Sequence, residues 1–401
     1  MIYAKAYQIF GESSESLTLN KYQSLAQKTD AKAREGDRAL AFPLLGLFGE
    51  IGSLLSELKK KQRDADSYVG YQHSVIEEFG DVLWYLSATA SRVGLRLSHL
   101  GQRAVSPSDH WDTLPQGDDP TFVGLQPDVT HTAPKSPEAF EQTLMTLAGH
   151  VGHTLAEYTA GRLTNNRDTL SGDLLAIFRL LIQAAKEADV SLADAAYGNL
   201  VKIFDRWPVE KAYPELFDTA FDQDEQLPRL IKMELYEKTI GENVYVYQRC
   251  NGIKVGDRLT DNKIEEDDYR FHDVFHLSYA ALLGWSPVIR SLFRVKRKSQ
   301  PKIDETEDGA RAILIEEGVS AWIFNHAHHL NFFENIDRLD YGLLKAVREL
   351  VRGYEAEHCP LWLWEDAILE GYRVFRMLRR YRRGIVVADL INRKVIFEEM
   401  S

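Results

Sequence analysis

Residues Gly46–Leu95 read GLFGEIGSLLSELKKKQRDADSYVGYQHSVIEEFGDVLWYLSATASRVGL. The spacing predicts two amphipathic helices, each with acids set inside an apolar pattern. Glu50 lies on the first; Glu77, Glu78 and Asp81 lie on the second. Helical positions three or four apart share a face, so Glu78 and Asp81 point the same way. Ile76, Phe79, Val82, Leu83 and Trp84 flank them. Acids rarely occupy a buried face unless paired or bound to a cation. A cluster made only of oxygen donors suits Mg²⁺ or Mn²⁺. The competing explanation is that Glu77 and Glu78 open a helix and complement its dipole. It accounts for neither Asp81 nor Glu50, each of which follows a glycine within the apolar pattern.

The 401 residues suffice for two or three domains, and 44% hydrophobic content supports a real core. A net charge of −12 argues against general affinity for nucleic acid or anionic membrane. Two cysteines far apart, Cys250 and Cys359, fit a reducing cytoplasm rather than a disulfide or zinc framework. The start, MIYAKAYQIF, lacks the pattern of a signal peptide. No apolar run reaches the roughly 18 residues that span a bilayer.

The pattern of the opening stretch recurs. LAGHVGHTLAEY (Leu147–Tyr158) tracks LFGEIGSLLSEL (Leu47–Leu58), and Gly172-Asp173 repeats Gly80-Asp81. This predicts a tandem duplication of one helical unit. The copies differ in their acids. Glu50 becomes His150, Ser53 becomes His153 and Glu78 becomes Leu170, leaving Asp173 alone. The second copy ends in GNLVKIFDRWP (Gly198–Pro208), with Asn199, Lys202, Asp205 and Arg206; the first has no such ending. The expected division is a first repeat over 1–101, a Pro- and Asp-rich linker over 102–137, and a second repeat over 138–227.

Beyond residue 228 the pattern changes. Asn243–Leu259 alternates around Asn-Gly, which predicts a β-hairpin, and Gly384–Glu399 predicts another. Between them fall helices near 267–283, 307–330, 341–357 and 364–381. The fold class expected is mainly α: two helical-bundle repeats, then an α+β domain over 228–401. That domain has its own polar cluster, His272, Asp273 and His276 on one helix and Glu316 and Glu317 on another. His272 and His276 are i,i+4, a spacing that can chelate a metal; buried hydrogen-bonded histidines are the commoner meaning of such a pattern. Two basic runs, Arg290, Arg294, Lys296, Arg297, Lys298 and Arg379, Arg380, Arg382, Arg383, read first as solvated faces. Binding of phosphate or nucleic acid is the second reading of those runs.

LTLNKYQSLAQKT (Leu17–Thr29), LGLFGEIGSLLSELKK (Leu45–Lys60) and EEFGDVLWYLSATASRVGL (Glu77–Leu95) together resemble the MazG family of all-α nucleoside triphosphate pyrophosphohydrolases. That family carries an ExxE pair and then an ExxD pair. Here the second is intact as Glu78-x-x-Asp81, while the first reads Glu50-x-x-Ser53. The end of the second copy is similar to the family's closing helix, and residues 228–401 resemble the domain that follows in longer MazG-like proteins. The resemblance implies Mg²⁺-dependent cleavage of a nucleoside triphosphate to a monophosphate and pyrophosphate. Glu50, Glu78 and Asp81 are then metal ligands, with Glu57 as the candidate to replace the acid missing at Ser53. Glu77 would orient the water, and Lys202 and Arg206 would neutralise phosphate. Asn199 would border the substrate, Tyr85, one turn beyond Asp81, would border it or simply be core, and the helix bearing Tyr22 and Gln23 would lie near a base pocket or simply pack. One composite site between the two copies is the arrangement expected. Family members often assemble, but the duplication could let one chain do what two do elsewhere, so a monomer or a simple homodimer is expected alongside the nucleotide. The Ser53 departure keeps a second class open, a nucleotide-sensing module that signals to the C-terminal domain. A purely structural bundle is the third.

Overall fold

In the computed structural model, residues 13–30, 39–106, 119–126, 137–163 and 167–400 are described. The chain divides into two compact units, Met1–Val209 and Glu210–Ser401. Most of the expected 102–137 linker lies outside the described residues.

The first unit is all helical. After α1 (Leu19–Gln27) come α2 (Ala41–Asp64) and α3 (Tyr71–Arg92), the two acid-bearing helices. α2 buries Leu44, Leu47, Ile51, Leu54 and Leu58, the stripe its periodicity dictates. Its length and apolarity would suit a membrane span, but that stripe is packed in the core of this unit. Lys61 closes the helix by donating to the Ala65 carbonyl at 2.9 Å, so here the basic end acts as a cap. The first turn of α3 contains no acid. Glu77 and Glu78 therefore sit well inside the helix, and the helix-dipole explanation fails for them.

α4 (Leu97–Ala104) follows a tight turn at Gly94. Gln23 holds that turn, accepting from Leu97 N at 2.8 Å and donating to the Leu95 carbonyl at 2.9 Å. These bonds tie α1 to the turn between α3 and α4. The second helix pair is α5 (Pro137–Thr159) and α6 (Arg167–Glu187), followed by α7 (Leu192–Arg206). Ser191 caps α7, and Gln126 accepts from its first amide, Leu192 N, at 2.8 Å. Both helix pairs feed one core, with Ile51, Phe79 and Leu83 from the first meeting Leu147, Leu174 and Phe178 from the second. The Phe79 and Phe140 rings stack across it at 6.5 Å.

The second unit is α+β. Its antiparallel sheet has the order β3-β2-β1-β4-β5: β1 (Leu230–Ile240), β2 (Asn243–Cys250), β3 (Ile253–Lys254), β4 (Arg383–Asp389) and β5 (Lys394–Glu398). Asn251 and Gly252 both adopt positive φ, 52° and 77°, as the two-residue hairpin between β2 and β3 requires. Both expected hairpins are present, and a further strand, β1, joins them at the centre. Helices α8 (Asp273–Leu283), α9 (Pro287–Phe293), α10 (Ala310–His328), α11 (Tyr341–Leu350) and α12 (Leu361–Tyr381) complete the unit. Its core gathers Phe275, Trp285, Trp364, Tyr372 and Phe375. Residues 210–227, read from the sequence as a connector closing the second repeat, fall in this unit. Asp218 shows why: it is buried and paired with Arg229 and Arg290, and it accepts from Leu227 N.

Candidate functional site

Glycine 80 sets the geometry. A Cβ there would lie 2.6 Å from the Ala195 carbonyl oxygen and 2.9 Å from the Asn199 Cβ. Only a glycine lets α3 and α7 come this close, and the next residue of α3 is Asp81. As a result Asn199 donates to Asp81 Oδ1 at 2.8 Å, and Lys202 pairs with the same carboxylate. Lys202 also reaches Glu77 Oε1 at 3.4 Å. Tyr22, from α1, donates to Asn199 Oδ1 at 3.0 Å and fixes which way that amide faces. Tyr22 packs in the core, and it also orients the residue that touches Asp81.

Glu50 approaches from α2. One carboxylate oxygen from each of Glu50, Glu78 and Asp81 lies within 4.8 Å of the others. Three carboxylates this close, half-buried, cannot all stay charged without a counter-ion. Burial, then the charges of Asp81 and Glu50, push the Glu78 carboxyl up to about 8. Burial and Asp81 also raise Glu50, and burial raises Asp81 against the pull of Lys202. Burial works against the charged form of Lys202, but Asp81 and Glu77 more than offset it and hold its pKa above the usual lysine value. Glu78 Oε2 is buried with no hydrogen-bond partner. A buried carboxyl oxygen with no hydrogen-bond partner, beside two further carboxylates, is what a divalent cation satisfies by displacing the proton, so the donor set fits Mg²⁺ or Mn²⁺.

Tyr85 borders the same cluster. Its ring lies over Gly46, where a Cβ would be 2.1 Å from the ring, and edge-on to Trp84 at 4.9 Å. Burial, with the charges of Glu50 and Asp81, pushes its phenol up to about 12. Arg206 lies one turn beyond Lys202 on α7, with its guanidinium over the Trp207 ring at 4.5 Å. Glu57 departs from expectation. It is buried and held by Lys60 at 2.5 Å and by the Tyr68 hydroxyl, and it is not one of the three converging carboxylates. Lys60 offsets its charge and Tyr68 donates to it, so it is engaged outside the converging group that was to include it. The second helix pair gathers no such group among the described residues. His150 and His153 are exposed, and Leu170 is buried in the core.

The basic runs of the second unit are partly engaged within the fold. Arg290 and Arg297 are buried and share Asp308, while Arg379 and Arg382 both pair with Asp268. Those four charges are paired within the unit, while Arg294, Lys298, Arg380 and Arg383 stay exposed, as a solvated face requires. The histidine cluster does converge: His272, His276 and Glu317 form the other metal-capable group among the described residues.

An acid-lined helical bundle followed by an α+β domain is the class of protein these features define. The model of the MazG C-terminal domain matches residues 212–401. The Gene 37 protein of Mycobacterium phage L5 is 32% identical over 88 residues, covering 20% of this chain and 77% of that protein. No solved structure matches the chain. The chain belongs to the MazG-like proteins, with a MazG C-terminal domain as its second unit.

Proposed function

We propose that the chain is a Mg²⁺-dependent nucleoside triphosphate pyrophosphohydrolase, cleaving (d)NTP to (d)NMP and pyrophosphate. Family membership supports a role related to nucleotide pyrophosphohydrolysis. The observation that carries the finer reading is the meeting of Glu50, Glu78 and Asp81 within 4.8 Å, with Lys202 against Asp81. The acids come from the first helix pair and the lysine from the helix that follows the second. This supports one composite site made by two diverged copies of a helical unit.

A divalent ion held by Glu50, Glu78 and Asp81 would offset triphosphate charge and acidify a bound water. Glu77, beside this trio, orients the water and accepts its proton as it attacks the α-phosphorus. The bond from that phosphorus to the α,β-bridging oxygen breaks, and pyrophosphate leaves. Lys202 exchanges Asp81 for a phosphate oxygen as substrate enters, and Arg206 lies on the same face one turn on. Tyr22 and Asn199 keep Asp81 oriented, and Tyr85 walls the cluster on the α2 side. Two free cysteines fit a reducing cytoplasm.

Ser53 favours a second reading, a nucleotide sensor that binds without turnover and signals to the C-terminal domain. A neutral hydroxyl cannot supply the charge of the missing acid. Incubation of purified protein with a nucleotide panel and Mg²⁺ separates the two. Pyrophosphate and monophosphate appearing together, and lost in Glu78→Ala, support the enzyme. Tight binding with no product supports the sensor, and neither binding nor product removes both.

A further inference from the structure

We propose that the second unit contains a separate site for a divalent first-row transition-metal ion, held by His272, His276 and Glu317 with Asp273 beside them. This site does not rest on the pyrophosphohydrolase reading.

The argument starts from the histidine tautomers. His276 is fully buried, and its Nδ1 meets Glu316 Oε1 at 2.9 Å. Glu316 is itself locked, accepting from Ser286 Oγ at 2.7 Å and Val288 N at 2.8 Å. His272 Nδ1 meets the Tyr269 carbonyl at 2.9 Å. A carbonyl only accepts, so Nδ1 of His272 is the protonated nitrogen; the locked carboxylate sets His276 the same way. Both rings therefore turn Nε2 to the same small space. A carboxylate or carbonyl behind each ligating imidazole is the usual support of a metal-binding histidine.

The space those nitrogens face holds more Lewis base. Glu317 Oε2 lies 3.4 Å from His276 Nε2 and 3.8 Å from His272 Nε2. Asp273 Oδ1 lies 3.2 Å from His272 Nε2, while its other oxygen accepts from the buried Gln248. His276 Nε2 makes no hydrogen bond, although it is buried. Lone pairs from two imidazoles and the Glu317 carboxylate converge within 4.8 Å, with Asp273 against His272 alone, and they repel unless a cation sits between them. Ligand bonds of about 2.1 Å in a tetrahedron put neighbouring donors about 3.4 Å apart, so these separations suit one small ion. Imidazole donors select zinc, iron, cobalt or nickel over magnesium, unlike the all-oxygen cluster of the first unit.

The site is closed behind and open in front. His272 stacks flat on Tyr269 at 4.4 Å, and His276 is sealed by the core. Glu317 is 38% exposed, so exchange with solvent occurs on its side. Two histidines and a carboxylate with an open face can take a further ligand, a water or a small anion.

The test uses the full chain, stripped with a chelator and titrated with Co²⁺ and Zn²⁺ in excess Mg²⁺. Wild type should take up about one equivalent per chain, with the visible Co²⁺ spectrum of nitrogen ligation. Glu78→Gln, altered only in the first unit, should bind the same way. Glu317→Gln and His272→Ala should weaken binding by about 100-fold or more, beyond the 10–100-fold typical of supporting residues. His276 is buried and its loss could unfold the domain, so the more exposed Glu317 carries the decisive variant, with circular dichroism as the folding control. No Co²⁺ uptake by wild type, or equal uptake by Glu317→Gln and His272→Ala, overturns the site. The cluster is then an imidazolium held between Glu316 and Glu317.

Discussion

The two helix pairs of the first unit share glycine spacing and a Gly-Asp step, yet among the described residues only one of them brings carboxylates together. In the first pair Glu50, Glu78 and Asp81 converge, and Gly80 draws α7 in so closely that Asn199 and Lys202 reach Asp81. In the second pair Leu170 is core, His150 and His153 are exposed, and a Cβ at Gly172 would meet nothing within 4 Å. Like-charged acids in a half-buried place need both a cation and a nearby counter-charge. The first pair has the means for both, and the second has kept the backbone pattern without that demand.

The sharpest way to break this contrast is Glu78→Gln. On the proposed function, pyrophosphate release should fall by roughly 100-fold or more, since one ligand charge is lost. Metal-free stability should move the other way. Removing one of three crowded carboxylates relieves repulsion, so the Tm without metal at pH 8 should rise. Activity lost together with stability would mean that the cluster is structural.

Gly80→Ala comes next. The added methyl meets backbone oxygen, which cannot yield as a flexible side chain would. Overpacking of this kind typically costs about 1–3 kcal/mol. Denaturant unfolding should show that loss, together with weaker nucleotide turnover as Asn199 and Lys202 move away from Asp81. Unchanged stability would show that α3 and α7 do not touch in solution as described.

A smaller effect follows from Glu78 titrating near 8 in the folded protein, against 4.5 for the free side chain. Between those values the folded state keeps a proton that the unfolded state has released. This contribution favours folding below about pH 4.5 and is lost as pH rises to about 8. The metal-free Tm of wild type, compared with that of Glu78→Gln, should therefore fall across that window. Saturating Mg²⁺ should flatten the difference, because a cation replaces the proton. A difference that is flat without metal would mean that Glu78 is already ionised.

Much of this was legible in the residues. Acids at helical spacing inside apolar runs marked Glu50, Glu78 and Asp81, and Asn251-Gly252 marked its hairpin. Other features depended on partners distant in sequence. Gly80 reads as a weak helix residue until Ala195 is seen against it. Tyr22 reaches its role through Asn199, 177 residues away. Glu57 sits one turn from Ser53 and looked available, but Tyr68 and Lys60 engage it instead. β1 mixes Lys and Glu with its apolar positions, and its strand character comes from pairing with both β2 and β4. Within the basic runs, spacing does not reveal Asp218, Asp268 or Asp308, which pair with Arg290, Arg297, Arg379 and Arg382, while the exposed remainder reads as it looked.

The smallest prediction tests the silent pair. Gly172 lies inside α6 with open space around its Cβ position, so alanine there adds no clash. Alanine is better than glycine in a helix interior by up to about 1 kcal/mol, largely because the unfolded chain has less freedom to lose. Gly172→Ala should therefore raise stability slightly and leave nucleotide turnover unchanged. The same substitution at Gly80, one helix pair earlier, should have the opposite sign. If both glycines respond alike, close approach to α7 is not what distinguishes the pairs. The difference between them would then rest on the acids alone.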